Sequence, residues 1–323
     1  MSKQPHKEGI KQPKNVNTKG QKLWRAISDP WWLGWFLLRK ASSLIKNDKT
    51  FIKWEYFFQM KKFPNLENPA TFNDKLQCMK LYDQNPLYSK VVDKSLSKEY
   101  VAEVLGSEEY IIPTLGVWDK WEDIDFDALP NEFVLKTTHD SGGVAIVKDK
   151  HSDDLAKAKS KIEKSLSHNF FLEHREWPYK AVKPRIIAEQ LIHSLTDGGL
   201  RDYKFFCFNG EPRMLLLASD RARDVRFDYF DMDFNHLPFV QGHPWANVMP
   251  ERPANFEQMK DLARRLSAAF PQVRVDLYSV GDKIYFGELT FFHFSGNVPF
   301  VPAAWDERIG EWWTNANYLP REN

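Results

Sequence analysis

Two runs late in the chain, VRVDLYSV and KIYFGELTFF, set Arg274, Asp276, Glu288 and Thr290 at alternating positions. Side chains two apart on a strand share a face, so Arg274 goes with Asp276 and Glu288 with Thr290. The turn between the runs decides whether the pairs meet. A two-residue loop, Gly281-Asp282, would set Asp276 opposite Gly287 and send the acids to opposite faces. A three-residue loop, Gly281 to Lys283, sets Asp276 opposite Glu288 and Arg274 opposite Thr290. That register also gathers Val273, Val275, Leu277, Leu289 and Phe291 on the other face, toward a core, so we expect it. Facing carboxylates repel unless a cation lies between them, and hard oxygen ligands with room for phosphate suit Mg²⁺. The plainer alternative is a solvated polar face on which Arg274 pairs with the acids.

A second constellation lies in FVLKTTHDSGGVAIV, residues 133 to 147. Lys136 carries a charge into an apolar strand, which is costly without a partner. That partner is either a carboxylate elsewhere in the fold or a phosphate brought by a ligand. Ser141, Gly142 and Gly143 read as a tight turn whose backbone N–H groups could also face an anion. There is no GxxxxGK[ST] loop and no GxGxxG, so the common nucleotide-loop motifs are absent. Asp231-Met232-Asp233 is a DxD, the pair that holds a divalent ion in many sugar-nucleotide glycosyltransferases; a solvated, turn-prone loop explains it as well. The histidines fit no HExxH or zinc-finger spacing, and no GxSxG elbow occurs.

These residues need a scaffold. The 323 residues suggest about two domains or one large two-lobed body, and 42% hydrophobic residues supply a substantial core. Two cysteines, Cys78 and Cys207, give no disulfide framework and point to a reducing cytoplasm. Helices are expected over FIKWEYFFQMKKFPN, TFNDKLQCMKLYDQN, VVDKSLSKEYVAEVL, LAKAKSKIEKSLSHNF and NFEQMKDLARRLSAAF. Strands are expected in EYIIPTLGVW, on both sides of Ser141-Gly143, in PRIIAEQLI, in DYKFFCFNGEPRMLLLAS and in the two runs described first. The result is an α+β body in two lobes rather than an alternating, doubly wound sheet.

Charge is uneven along the chain. The overall net charge is +1, yet residues 1 to 64 hold 14 Lys and Arg against four acids. Residues 1 to 22 have little to bury and read as a disordered basic tail. Residues 23 to 64 read as aromatic, basic helices. Their apolar core, Trp31 to Leu38, is far shorter than the about 20 residues that span a bilayer. It either packs on the domain or lies in a membrane interface, with Trp31, Trp32 and Trp35 at headgroup depth and Arg39, Lys40 and Lys46 near anionic lipid.

Taken in order, these pieces resemble a known family. The order is the strand lysine with its Ser/Gly loop, then PRIIAEQLI, then DYKFFCFNGEP, then RxD…ExT, and it resembles the ATP-grasp superfamily. FNDKLQCMKLYDQNPL, VVDKSLSKEYVAEVLG and the closing GEWW narrow this to the TupA-like ATP-grasp family, over roughly residues 63 to 314. The resemblance implies an ATP-grasp fold in which two α+β lobes clamp ATP. A helical N-terminal subdomain at 65–130 would precede a first lobe at 131–192 and a second lobe with the metal site at 193–323. It implies that Lys136 and Lys204 contact phosphates and that Ser141, Gly142 and Gly143 form a mobile flap. Glu189, Gln190, Leu191 and Ile192 would be the adenine hinge. Asp276, Glu288 and Thr290 would hold Mg²⁺, with Arg274 steadying the transferring phosphoryl group. Two positions depart from the pattern. Asp140 replaces a usual Gly and sets an anion beside the flap, and Thr290 stands where many relatives carry Asn. The implied activity is a carboxylate–amine ligase passing through an acylphosphate. Its implied substrates are a uronic-acid glycan or lipid-linked precursor and an amino acid or other amine, in capsule or teichuronopeptide-like synthesis. No nucleic-acid partner is expected. The place of action would be the cytoplasm, peripheral to the inner membrane face. Glycosyl transfer by Asp231 and Asp233, or nucleotide binding without catalysis, are the alternatives.

Overall fold

The structure is a computed structural model and describes residues 28–152, 154–195, 199–220 and 224–314. The expected basic tail at 1–22 lies outside the described residues.

Two helices open the described chain. α1 (Pro30–Lys40) starts on Asp29, whose carboxylate accepts from Trp32 N at 3.0 Å, with proline in the first turn. α2 (Asp48–Met60) is capped by Asn47 and stopped by Lys61 in the left-handed region. Next come α3 (Phe72–Tyr82), α4 (Leu87–Val92) and α5 (Leu96–Leu105), the last ended by Gly106 at φ 65. The single helix expected over 91–105 is therefore two. Asp93 breaks it: its carboxylate accepts from Ser95 N and Leu96 N at 2.8 and 3.2 Å.

The first sheet has the antiparallel order β1-β4-β2-β3, from β1 (Thr114–Trp118), β2 (Phe133–Thr137), β3 (Val144–Val147) and β4 (Ile186–Gln190). Helix α6 (Asp154–Leu166) packs on it, burying Ala158 and Ile162 with Phe133, Leu135 and Val147. Its edge strand β1 precedes residue 131, so the sheet draws on chain from before the hairpin. A short helix, α7 (Phe171–His174), follows α6.

The second sheet has the order β10-β9-β5-β6-β7. Its strands are β5 (Asp202–Phe208), β6 (Glu211–Ser219), β7 (Arg226–Phe230), β9 (Gln272–Val280) and β10 (Lys283–Thr290). β8 (Val240–Gln241) and β11 (Phe300–Val301) form a separate pair. α8 (Phe256–Ser267) buries Phe256, Met259, Leu262, Ala263 and Leu266, a helical stripe, against this sheet. α9 (Ala304–Glu311) closes on α3. Phe72, Leu76, Met79, Tyr88 and Val101 from α3–α5 share one core with Phe205, Phe206, Leu215 and Val275. Helices 72–105 thus pack into the second sheet's core.

Candidate functional site

The β9–β10 hairpin sets the site's floor. Asp276 pairs across the strands with Glu288 and Arg274 with Thr290, as expected, but the loop differs. Val280 pairs with Lys283, so the turn has two residues, Gly281 at φ 59 and Asp282. A bulge between Phe286 and Glu288 shifts the register by one residue and restores the facing acids. Gly287 is the extra residue, and a Cβ there would come within 3.0 Å of Asp276 O. Val273, Val275, Leu277, Leu289 and Phe291 are all buried on the opposite face.

Arg274 occupies the space between the acids. Its Nε and Nη2 donate to Asp276 Oδ1 and Oδ2, both at 2.7 Å, and Nη2 also donates to Thr290 Oγ1 at 3.0 Å and Glu288 Oε1 at 3.3 Å. Burial pushes the Asp276 carboxyl above its ordinary range, with Arg274 and Lys204 opposing it, and Arg274 grips both carboxylate oxygens at 2.7 Å. Behind Arg274, Nη1 donates to His293 Nδ1 at 2.7 Å and His293 Nε2 donates to Gln241 Oε1 at 3.1 Å. Burial, then Arg274 and Lys204, hold this imidazole well below its ordinary range, so it stays neutral. Lys204 on β5 pairs with Asp276 and with Asp202, the latter at 2.6 Å. Glu288 keeps 45% of its side chain exposed. Burial alone would raise its carboxyl, but Lys204, Arg274 and Lys94 hold it down to about 2.

Lys136 finds a carboxylate. Its Nζ lies 2.5 Å from Glu189 Oε2 on β4, and Lys98 Nζ lies 2.5 Å from Glu189 Oε1. Burial would lift Glu189, and the two lysines bring it below its ordinary range. In this arrangement Glu189 positions two lysines. Beyond it Gln190, Leu191 and Ile192 run along the cleft wall.

The flap residues divide in two. Ser141 and Gly142 are exposed, and a Cβ on Gly142 would meet nothing. Gly143 is buried, and a Cβ there would lie 1.9 Å from Thr137 Oγ1, so only glycine fits. Asp140 turns inward, 6% exposed. Its Oδ1 accepts from Thr137 Oγ1 at 2.5 Å and Gly143 N at 3.1 Å, and its Oδ2 accepts from Ser165 Oγ. The departure from the family pattern is thus a staple under the flap, with its charge held off the surface.

Sequence reasoning missed two lysines. Lys94 sits in the α4–α5 break, donates to Asp140 O and senses Glu288, Asp140, Lys136 and Glu189. Lys98 lies four residues on, in the first turn of α5, and lines the same cleft. Burial pulls both ammonium groups below their ordinary range, with the nearby acids opposing it. The available signal was Asp93 followed by Ser95, a helix-start pattern inside an apparently continuous helix.

These groups line one cleft of about 1450 Å³ between the sheets. Lys94, Lys98, Lys136 and Lys204 gather with Arg274 at one end, an arrangement suited to a polyphosphate. Among the described residues no three His, Cys, Asp or Glu side chains converge tightly enough to hold a metal unaided. Asp276, half-exposed Glu288 and the Thr290 hydroxyl are the oxygens here that could hold a cation which completes its shell with ligand oxygens and water, as Mg²⁺ does. To bind one, Arg274 and Lys204 would have to release carboxylate oxygens.

The DxD is elsewhere. Asp231 Oδ1 accepts from Asp233 N and Asn235 N at 2.9 and 2.8 Å, and Oδ2 accepts from Asn235 Nδ2 at 3.0 Å. Its carboxylate closes a local turn outside the cleft.

The model of the family described as TupA-like ATPgrasp matches residues 74–314. No curated protein matches in sequence. Among solved structures, D-alanine–D-alanine ligase from Bacillus anthracis complexed with ATP is similar at 19% identity and TM-score 0.37, over 62% of this chain and 54% of that one. D-alanine–D-alanine ligase from Helicobacter pylori is similar at 17% and 0.40, over 72% and 60%. A RimK domain protein ATP-grasp from Sphaerobacter thermophilus is similar at 11% and 0.37, over 78% and 71%. The chain spans 54% to 60% of the length of these two D-alanine–D-alanine ligases.

Proposed function

The chain belongs to the TupA-like ATP-grasp family, and from that membership we propose an ATP- and Mg²⁺-dependent carboxylate–amine ligase of cell-surface polysaccharide assembly. It would join the carboxylate of a uronic-acid glycan, or of its lipid-linked precursor, to an amino acid or other amine through an acylphosphate. Capsule or a teichuronopeptide-like polymer is the proposed setting. The observation that carries the reading is the convergence, in one cleft, of four lysines, Arg274 and the facing Asp276–Glu288 pair.

Each residue's part follows from its surroundings. Backbone groups of Gln190 to Ile192 would receive the adenine at the end of β4. Glu189 holds Lys136 and Lys98 extended into the cleft, so little side-chain entropy remains to be lost when phosphates arrive. Lys94 and Lys204 would meet the phosphates from the second lobe's side. Ser141 and Gly142, unpacked above the Asp140 staple, are free to fold their N–H groups over the anion. Asp276, Glu288 and Thr290 would hold Mg²⁺, which supplies charge neutralisation on the phosphate oxygens. Arg274, released from its fork but still backed by His293, would steady negative charge on the transferring group.

The glycosyltransferase alternative loses support because Asp231 is spent on its own turn. Binding without catalysis loses support because Asp140 faces inward.

Association with the inner membrane face is part of the proposal. No helix among the described residues is long and apolar enough to cross a membrane. None of the eleven residues of α1 is buried, although most are apolar. Trp31 packs on Phe57, and Trp35 and Arg39 line the cleft. Leu37 and Leu44 are 56% and 79% exposed, with Lys40 and Lys46 beside them in sequence. They would be the lipid-facing set.

The test is incubation with ATP, Mg²⁺ and a panel of uronates and amines, reading ADP, phosphate and amide mass. Matched release of ADP and phosphate that needs both partners supports the ligase. Turnover of sugar nucleotides instead would favour the DxD.

A further inference from the structure

The cleft lining extends beyond Lys94, Lys98, Lys136 and Lys204. One wall is the segment from α7 to Tyr179, where Glu176 lines the cleft at 7% exposure. Its neighbour Arg175 is left-handed, φ 58, and anchors the segment on the N-terminal helices. Arg175 donates to Ser42 O at 2.7 Å and Ile45 O at 2.9 Å and pairs with Asp48 at 2.9 Å. Glu176 is thereby fixed from behind.

The other wall is a strained loop. Phe294, Ser295 and Gly296 are left-handed in succession, at φ 48, 56 and 65. For Phe294 and Ser295 this costs about 1–3 kcal/mol each, a cost that clusters at functional sites. Gln77 Nε2 donates to Ser295 O and Gly296 O, each at 3.1 Å, and Lys80 Nζ donates to Ser295 O at 2.8 Å. These bonds hold the loop in place. Ser295 Oγ is buried beside Glu176 without a hydrogen bond of good geometry.

Charge singles out Glu176. Of the carboxylates lining the cleft, Asp154, Glu173, Glu189, Asp202, Asp276 and Glu288 each have a cation within 4.0 Å. Asp140 is satisfied by two hydroxyls and an N–H. Glu176 has no ion pair among the described residues, although it is more than nine-tenths buried. Its charged neighbours are engaged elsewhere: Glu55 of α2 pairs with His174 at 2.7 Å, and Lys80 of α3 bonds Gln77 and Ser295 O. Tyr179, Glu176 and Glu288 line the same cleft. Burial pushes the Glu176 carboxyl up, with Lys80, His174 and the Ser295 hydroxyl opposing it.

Resting on the ligase reading, we propose that Glu176, with Ser295 beside it, is the subsite for the ammonium group of the amine substrate. A primary ammonium brings several donors and one charge. The carboxylate and the Ser295 hydroxyl supply acceptors and the countercharge, while Lys80 beside them is held by Gln77 and Ser295 O.

The test uses the full chain and two probes of equal size, propylammonium and 1-propanol, titrated by ligand-observed NMR with and without a non-hydrolysable Mg·ATP analogue. Wild type should prefer the ammonium by about tenfold or more, the scale of one charge-assisted contact. Glu176→Gln should abolish that preference with nucleotide affinity unchanged. Glu176→Asp should keep part of it, and Ser295→Ala should reduce it. No preference in wild type, or a preference that survives Glu176→Gln, overturns the subsite. Loss of nucleotide binding in wild type would sink the ligase reading instead, since the ammonium preference is read without nucleotide as well.

Discussion

Replacing Asp140 with alanine should destabilise the protein by about 2–4 kcal/mol and should not tighten ATP binding. The carboxylate has three donors. Two, Thr137 and Ser165, already lie 2.9 Å apart and can satisfy each other once the acid is gone. The third, Gly143 N–H, is buried and would be left without an acceptor, at about 1–3 kcal/mol. Loss of the charge-assisted part of the hydroxyl bonds adds the remainder. Urea unfolding reads the stability and calorimetry reads the affinity. An anion that opposed phosphate would give the reverse pattern, tighter Mg·ATP binding with little loss of stability. That outcome would refute the staple.

Lys136→Ala should weaken ATP binding by about 1.5–3 kcal/mol in calorimetry. It should cost less stability than breaking an isolated buried pair, because Lys98 still holds Glu189. Glu288→Gln should nearly stop ADP formation and raise the Mg²⁺ requirement, while the half-exposed position leaves the unfolding midpoint little changed. The Glu55–His174 pair fixes a pH dependence. Burial alone would lower the imidazole's pKa, but Glu55 raises it above the ordinary value, so its stabilisation is full below the ordinary imidazole range and is lost as pH rises through the raised value. Thermal midpoints should fall across that upper window, and His174→Gln should flatten the fall. For lipid, Leu37→Ser with Leu44→Ser should reduce binding to anionic vesicles and spare ATP binding. Deleting residues 1–50 is a poorer test, since Ser42, Ile45 and Asp48 anchor Arg175.

Alternation made the face of the β9–β10 hairpin legible, because a half-buried strand cannot mix Val275 and Asp276 on one side. The turn was misread, because a bulge at Gly287 and a longer loop place the same residues opposite each other. Only the backbone distinguishes them. Lys136 and the Ser/Gly flap stood out as anomalies in an apolar run. Lys94 and Lys98 did not, since lysine on a helix is ordinary until the Asp93 break aims it at the cleft. Glu176 carried no local signal at all. Its place depends on Arg175, whose anchors lie 127 to 133 residues earlier in the chain.

The most direct measurement is a structure of the protein with a non-hydrolysable ATP analogue and Mg²⁺. The account predicts phosphates against Lys94, Lys136 and Lys204, a cation shared by Asp276 and Glu288, and Arg274 withdrawn from its fork. Nucleotide bound outside this cleft, or a metal held by Asp231 and Asp233 with the Arg274 fork intact, would contradict it.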